Sequence, residues 1–264
     1  ALAGEANLTF NGTTLAVTGA ATVSTDLTVA TDAFFVDASA DYAGIGVGTL
    51  NAFRTDFTGL QVGYAGSLTA SKANGAGSAV WIGSNVFYNG SAFKYINTAS
   101  DEASLLSMQD GGLLFQNASA GTAAGADATM VSRFLIDNAG AVTMPTQPAF
   151  FAGTTNEIAD VTGDATAYII VFPTEQFDSG GDYNTSDGLF TAPVAGRYQF
   201  NASVWVGGLT SSHTAAELQL VTSDMPAIQF FYGNPYAIAI GGTNAGVMTG
   251  SCIIDMDAAD TAKI

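Results

Sequence analysis

Four groups of side chains in this sequence have types and spacings that chemistry could use. Asp178 with Asp182, and Asp255 with Asp257, are carboxylate pairs that could in principle hold calcium or flank a glycosidic bond. A glycosidase holds its two carboxyl groups at a set separation across a sugar, and closeness along a loop does not create that separation. No loop has the ligand spacing of a helix–loop–helix calcium site, so calcium is the one ion the acidic residues suggest and no other cofactor is expected. His213, the only histidine, lies in "LTSSHTAAEL", a polar loop entering a strand. It reads either as a pH-sensitive contact or as surface decoration, and nothing around it resembles a nucleophile elbow. The stretch "FFYGNPYAIAIGG" places Tyr232, Asn234 and Tyr236 around a Gly-Asn-Pro turn. Aromatic faces beside an amide suit stacking on a sugar and bonding its hydroxyls; the same rings could instead pack in a core or between subunits. No residue set points to turnover, and the chain is expected not to be an enzyme.

The charge balance narrows the partners. Six Lys and Arg stand against 23 Asp and Glu in 264 residues, a formal net charge of −17. Such a chain repels phosphate backbones and anionic lipid surfaces, so nucleic-acid recognition has almost no electrostatic basis and no nucleic-acid partner is expected, and the acidity reads as a device for solubility, with divalent-cation sites the rival reading. No apolar run approaches the ~18 residues of a membrane helix, so no membrane insertion is expected. The longest run, 167–172, is strand length. Cys252 is the only cysteine, which excludes an intrachain disulfide and a thiolate metal cluster. The chain lacks a signal-peptide pattern and an initiator Met, so residue 1 is not expected to start the gene product.

The elements that must position these residues are β throughout. Hydrophobic residues make up 48 % of the chain, but many are Ala, and Gly, Thr, Ser and Asn dominate the rest, which disfavours long helices. Residues 1–48 read as apolar triplets ("LTF", "LAV", "ATV", "LTV", "FFV") between turn residues. Strands so short bury too little to stand alone, so they predict a shaft of intertwined copies; a disordered linker is the rival reading. Residues 49–146 carry longer β runs. "VFYNGSAFKYI" predicts a hairpin with Asn89-Gly90 in the two left-handed turn positions, and "IDNAGAV" predicts another. Residues 117–129, nearly all small, predict a loop or a closely packed axial segment without core. Pro145 and Pro148 mark a joint. Residues 147–264 alternate β runs with Gly, Pro, Asn and Asp clusters, predicting an antiparallel sandwich or jelly roll. In "GRYQFNASVWV" Tyr198, Phe200, Ala202, Val204 and Val206 share an apolar face, and Trp205 stands out among polar neighbours on the other.

The spacing of Phe172, Asp178, Tyr183, Phe190, Gly196, Tyr198 and Phe200 resembles the signature of the complement component one-q globular head family. "QPAFFAG" at 147–153 resembles the family's first strand, while Ala202 departs from the aromatic expected there. The resemblance implies a tumour-necrosis-factor-like jelly roll assembled as a homotrimer, with these aromatics serving as core and interface and Gly196 serving a turn after Pro193. "DMDAADTAKI" resembles the family's penultimate region, so the last strands of the head are expected beyond Ile264. The segments "LTVATDAFFVDASADYAGIGVGT" and "NVFYNGSAFKYINTASDEASLLSMQDGGLLFQNASAGTAAG" are similar to the shafts of bacteriophage tail fibres. Together these resemblances imply an all-β trimeric fibre on a virion surface. Its expected partners are other tail or baseplate proteins and a bacterial surface polysaccharide or protein receptor, met through the head. A purely structural fibre and a secreted trimeric adhesin are the alternatives.

Overall fold

Alternation of side chains along short, turn-bounded runs makes strands the dominant regular element of the computed structural model, which describes residues 27–29, 33–37, 39–47, 49–72, 77–97, 101–159 and 166–264. The apolar triplets before residue 27 lie outside the described residues. Contacts divide the chain into two units, Ala1–Met144 and Pro145–Ile264.

The first unit contains β1 (Leu27–Val29), β2 (Phe34–Asp37), β3 (Tyr42–Ile45), β4 (Phe57–Val62), β5 (Gly66–Ser71), β6 (Ala79–Ser84), β7 (Val86–Tyr88), β8 (Phe93–Tyr95), β9 (Ala103–Gln109), β10 (Gly112–Ala118), β11 (Val131–Ile136) and β12 (Val142–Thr143). All but β7 and β8 form a ten-stranded sheet in nearly sequential order, β1-β2-β3-β4-β5-β6-β9-β10-β11-β12. Its pairs are antiparallel except β3 with β4.

One face of this sheet is covered by the β7–β8 hairpin and adjoining loops. Tyr42, Phe53, Phe87 and Ile96 form one buried cluster, and Val86, Tyr95, Ala103, Leu105, Ala118 and Ala128 form another. This covered face also carries polar residues, all satisfied locally. The Gln61 amide oxygen accepts from the backbone and side-chain nitrogens of Asn51 at 3.0 and 2.9 Å. The Ser67 hydroxyl donates to the Val86 carbonyl at 2.6 Å. Asn85, at φ 55° where β6 turns into β7, donates from its side chain to the Asp101 and Glu102 carbonyls. Buried polar groups are tolerable on these terms because each recovers the hydrogen bond that water would have supplied.

The opposite face is aliphatic and open. In register across six strands runs the row Leu60, Leu68, Ile82, Leu106, Phe115 and Phe134. Leu68 and Ile82 in this row are 41 % and 47 % exposed, whereas Gln61 on the covered face is 1 % exposed.

Two expectations for this unit are corrected. The β7–β8 hairpin exists, but Tyr88 pairs with Phe93, so its loop is longer than a two-residue turn. Gly90 alone takes a left-handed φ (102°), while the Asn89 side chain accepts the Ser91 and Ala92 N–H groups at 3.0 Å and holds the loop from outside. The small-residue segment 117–129 does contribute core. It folds back beside β8, where Ala128 N–H donates to the Phe93 carbonyl at 2.8 Å and Tyr95 N–H to the Ala126 carbonyl at 3.0 Å. Smallness is what permits this, since a Cβ added at Gly121 would lie 2.6 Å from the Tyr95 ring.

The second unit contains β13 (Phe150–Gly153), β14 (Thr174–Asp178), β15 (Tyr183–Asn184), β16 (Leu189–Thr191), β17 (Gly196–Val206), β18 (Ala216–Thr222), β19 (Ile228–Gly233), β20 (Gly246–Met256) and β21 (Thr261–Lys263), with a 3-10 turn, Pro235–Ile238, between β19 and β20. A five-stranded sheet, β15-β16-β21-β18-β19, faces the long β17–β20 ribbon, with β13 and β14 paired separately. Between the layers lie Tyr183, Phe190, Phe200, Leu220, Ile254, Met256 and Ala262, the interior of a jelly-roll sandwich. The acidic turn after β20 leads into β21, which pairs with both β16 and β18. Along β17 burial alternates as the sequence pattern requires: Phe200 is buried and Trp205 is 60 % exposed.

Candidate functional site

The aromatic residues singled out by spacing converge on one stack. Phe150 lies flat on Tyr183 with ring centres 4.7 Å apart, and on Phe190 at 5.2 Å. Phe190 then meets Tyr198 at 5.4 Å and the edge of Phe200 at 5.5 Å. Tyr183 also works as an acceptor: its hydroxyl oxygen takes the Phe172 N–H at 3.1 Å, tying the segment before β14 to the core, against which Phe172 itself packs. Gly196 opens β17 opposite Met256. A Cβ there would meet nothing, so within one chain no close contact requires glycine at this position. At Ala202 the missing aromatic has a substitute. Ala202 pairs with Gly250, and Phe230 from β19 presses so closely on Gly250 that an added Cβ would lie 2.2 Å from the Phe230 Cβ.

Asp178 and Asp182 belong to one turn and play different parts. Asp178 Oδ1 accepts the N–H groups of Gly180, Gly181 and Asp182, and its Oδ2 accepts that of Tyr183 at 2.9 Å. Desolvation pushes this carboxyl up, but the backbone donors outweigh it and hold Asp178 below the usual aspartate value. Asp182 is pushed the other way, first by desolvation and then by the charge of Asp178, and its Oδ2 is buried without a hydrogen-bond partner. The pair organises the turn that delivers Tyr183 into the core. Asp255 sits on the outer side of the ribbon, ion-paired with Arg197 at 3.2 Å and exposed like it. Among the described residues no three His, Cys, Asp or Glu gather in a geometry that could hold a metal ion. Burial pushes the Cys252 thiol up, away from nucleophilic use.

The remaining candidates lie toward one end of the unit. Val206, the last residue of β17, pairs with Gly246, the first of β20, and Leu209 N–H donates to the Asn244 carbonyl at 2.8 Å. The loops 207–215 and 233–245 therefore adjoin. Tyr232 pairs with Glu217 near the start of β18, just after the first of these loops, and is 66 % exposed. Asn234 caps the 3-10 turn, its Oδ1 accepting the Tyr236 and Ala237 N–H groups at 2.9 and 3.3 Å. Its carbonyl is thus committed to the backbone, and the NH2 is what it can offer a ligand. Tyr236 is 43 % exposed. His213 is bound into its own loop, with Nδ1 accepting the Thr210 N–H at 3.0 Å. Trp205 and Val247, a cross-strand pair at the same end, add exposed apolar surface. The sequence signal for Trp205 was its place on the polar face of β17; for Val247 it was only the partner strand, which spacing does not reveal.

Residues 149–257 match the family model of the C1q domain. The second unit is accordingly a C1q-type globular head, and C1q domains typically form homotrimers. No curated protein matches the sequence. Within the C1q domain the spacing-derived aromatics fill the interior, whereas Tyr232, Asn234 and Tyr236 lie at one end, exposed. No helix among the described residues is long and apolar enough to cross a membrane.

Proposed function

We propose that this chain is part of a homotrimeric bacteriophage tail fibre, non-catalytic, whose C1q head attaches the virion to a bacterial surface glycan. The observation that supports glycan attachment is the pair of exposed aromatics Tyr232 and Tyr236 flanking Asn234 around the 3-10 turn at one end of the head. Exposed rings with a nearby donor suit the flat faces and hydroxyls of sugars, and such contacts are weak singly. Three heads on one fibre, and several fibres on one virion, convert weak contacts into durable attachment through effective concentration. The acidic net charge of −17 favours a neutral or cationic receptor over an anionic polymer.

The test is binding of the purified chain to candidate host cells and to their extracted surface polysaccharide. Tyr232→Ala with Tyr236→Ala is expected to lower cell binding at least tenfold while circular dichroism and thermal unfolding stay unchanged. Full binding by the double variant would remove this surface from consideration, and absence of binding to any cell that the parent phage infects would favour a fibre that only spaces other virion parts.

A further inference from the structure

The first unit is built with its polarity reversed for a lone molecule. Antiparallel sheets that keep one face in water carry polar side chains on that face and apolar ones inside. Here Gln61, Ser67, Thr69 and Ser107 point to the covered side and are 1–8 % exposed, while the alternate positions Val62, Leu68, Val80, Ile82, Met108 and Phe115 are 36–49 % exposed. No Asp, Glu, Lys or Arg occupies the open-side positions of β4, β5, β6, β9 and β10, in a chain with 23 acidic residues. Those six side chains present on the order of 500 Å² of apolar surface. Half-buried Leu60, Leu106 and Phe134 extend it towards the ~800 Å² per partner of a stable interface, at the upper end of the ~300–600 Å² of the largest apolar patches on monomers, which are often functional. A groove of about 190 Å³ among Ile82, Leu106 and Phe115 gives the face relief for a neighbour's side chains.

We infer that this face is a self-association surface, occupied by further copies of the same chain. Two features select a second copy over another partner. The chain carries a C1q domain, a module that typically trimerises, so copies of the sheet are held together at high local concentration. The face is also free of charge on a molecule whose net charge of −17 repels its own kind, so copies that meet there add no like-charge contact to that long-range repulsion. The inference rests on the trimeric reading of the head but concerns a different unit, so the two can fail separately.

The experiment uses the full chain with Cys252→Ser, carrying either Ile82→Cys on the open face or Tyr64→Cys at the β4–β5 turn, where Tyr64 is 71 % exposed. Sedimentation gives the mass, and maleimide labelling gives the accessibility of each thiol. The expected result is a trimer in which the thiol at position 82 reacts at least thirtyfold more slowly than that at position 64. The two rates should approach each other when Leu68→Lys is added. A trimer with equal rates overturns the inference and leaves the trimeric head standing. A monomer with equal rates overturns both. A monomer in which position 82 is protected means that the chain covers the face itself, which also overturns self-association.

Discussion

Asp178 and Asp182 share a turn, yet their contributions to stability have opposite signs. The folded-state pKa of Asp178 is depressed, so its contribution is present above the unfolded value, about 3.9, and is lost as pH falls through the lower folded value. Asp182 has a raised folded pKa, so its charged form opposes folding, and stability falls as pH rises from the unfolded to the folded value. Urea unfolding between pH 3 and pH 7 is expected to separate them. Asp178→Asn should lose about 1 kcal/mol at pH 7 and flatten the acid limb, whereas Asp182→Asn should gain stability at pH 7 and gain nothing below the unfolded value. The same sign for both at pH 7 would refute this account of the turn. Asp178 was legible as a spaced signature residue. The unpartnered Oδ2 of Asp182 was not, because burial of a single oxygen depends on how Gly180 and the turn fold over it.

At the scale of elements, the β17–β20 ribbon shows how one small residue sets the packing of a whole layer. Its eleven registered pairs put Ala202 opposite Gly250, and Phe230 from the facing sheet fills the space that two small residues leave. Gly250→Val should therefore overpack the head and cost about 1–3 kcal/mol in unfolding free energy. A companion Phe230→Ala change should recover part of that loss, and failure of the pair to compensate would place the strain elsewhere. The alternation of β17 could be read directly from Tyr198, Phe200 and Trp205, since period-two patterning is local. The cross-layer substitution of Phe230 for an aromatic at 202 could not, because it joins residues on separate strands whose register no local pattern fixes.

For the whole molecule, charge and apolar surface act against each other. Copies bearing −17 each repel at long range while their uncharged sheet faces attract on contact. Assembly is thus expected to tighten with salt, on the order of tenfold in dissociation constant between 10 mM and 500 mM sodium chloride, as the Debye length falls from ~30 Å to a few Å. Sedimentation equilibrium at the two concentrations measures it, and weaker assembly at high salt would mean that ion pairs, not the aliphatic face, hold the copies. The sequence alone determined that the described residues are predominantly β, that its signature aromatics recur at the spacing of a globular head, and that it carries a strong negative charge. Those properties follow from composition and from patterns a few residues long. Only the tertiary structure decided which side of the first sheet is covered, because alternation states that two faces differ without stating which one the loops close over. Here they close over Gln61 and Ser67 and leave Leu68 and Ile82 facing out.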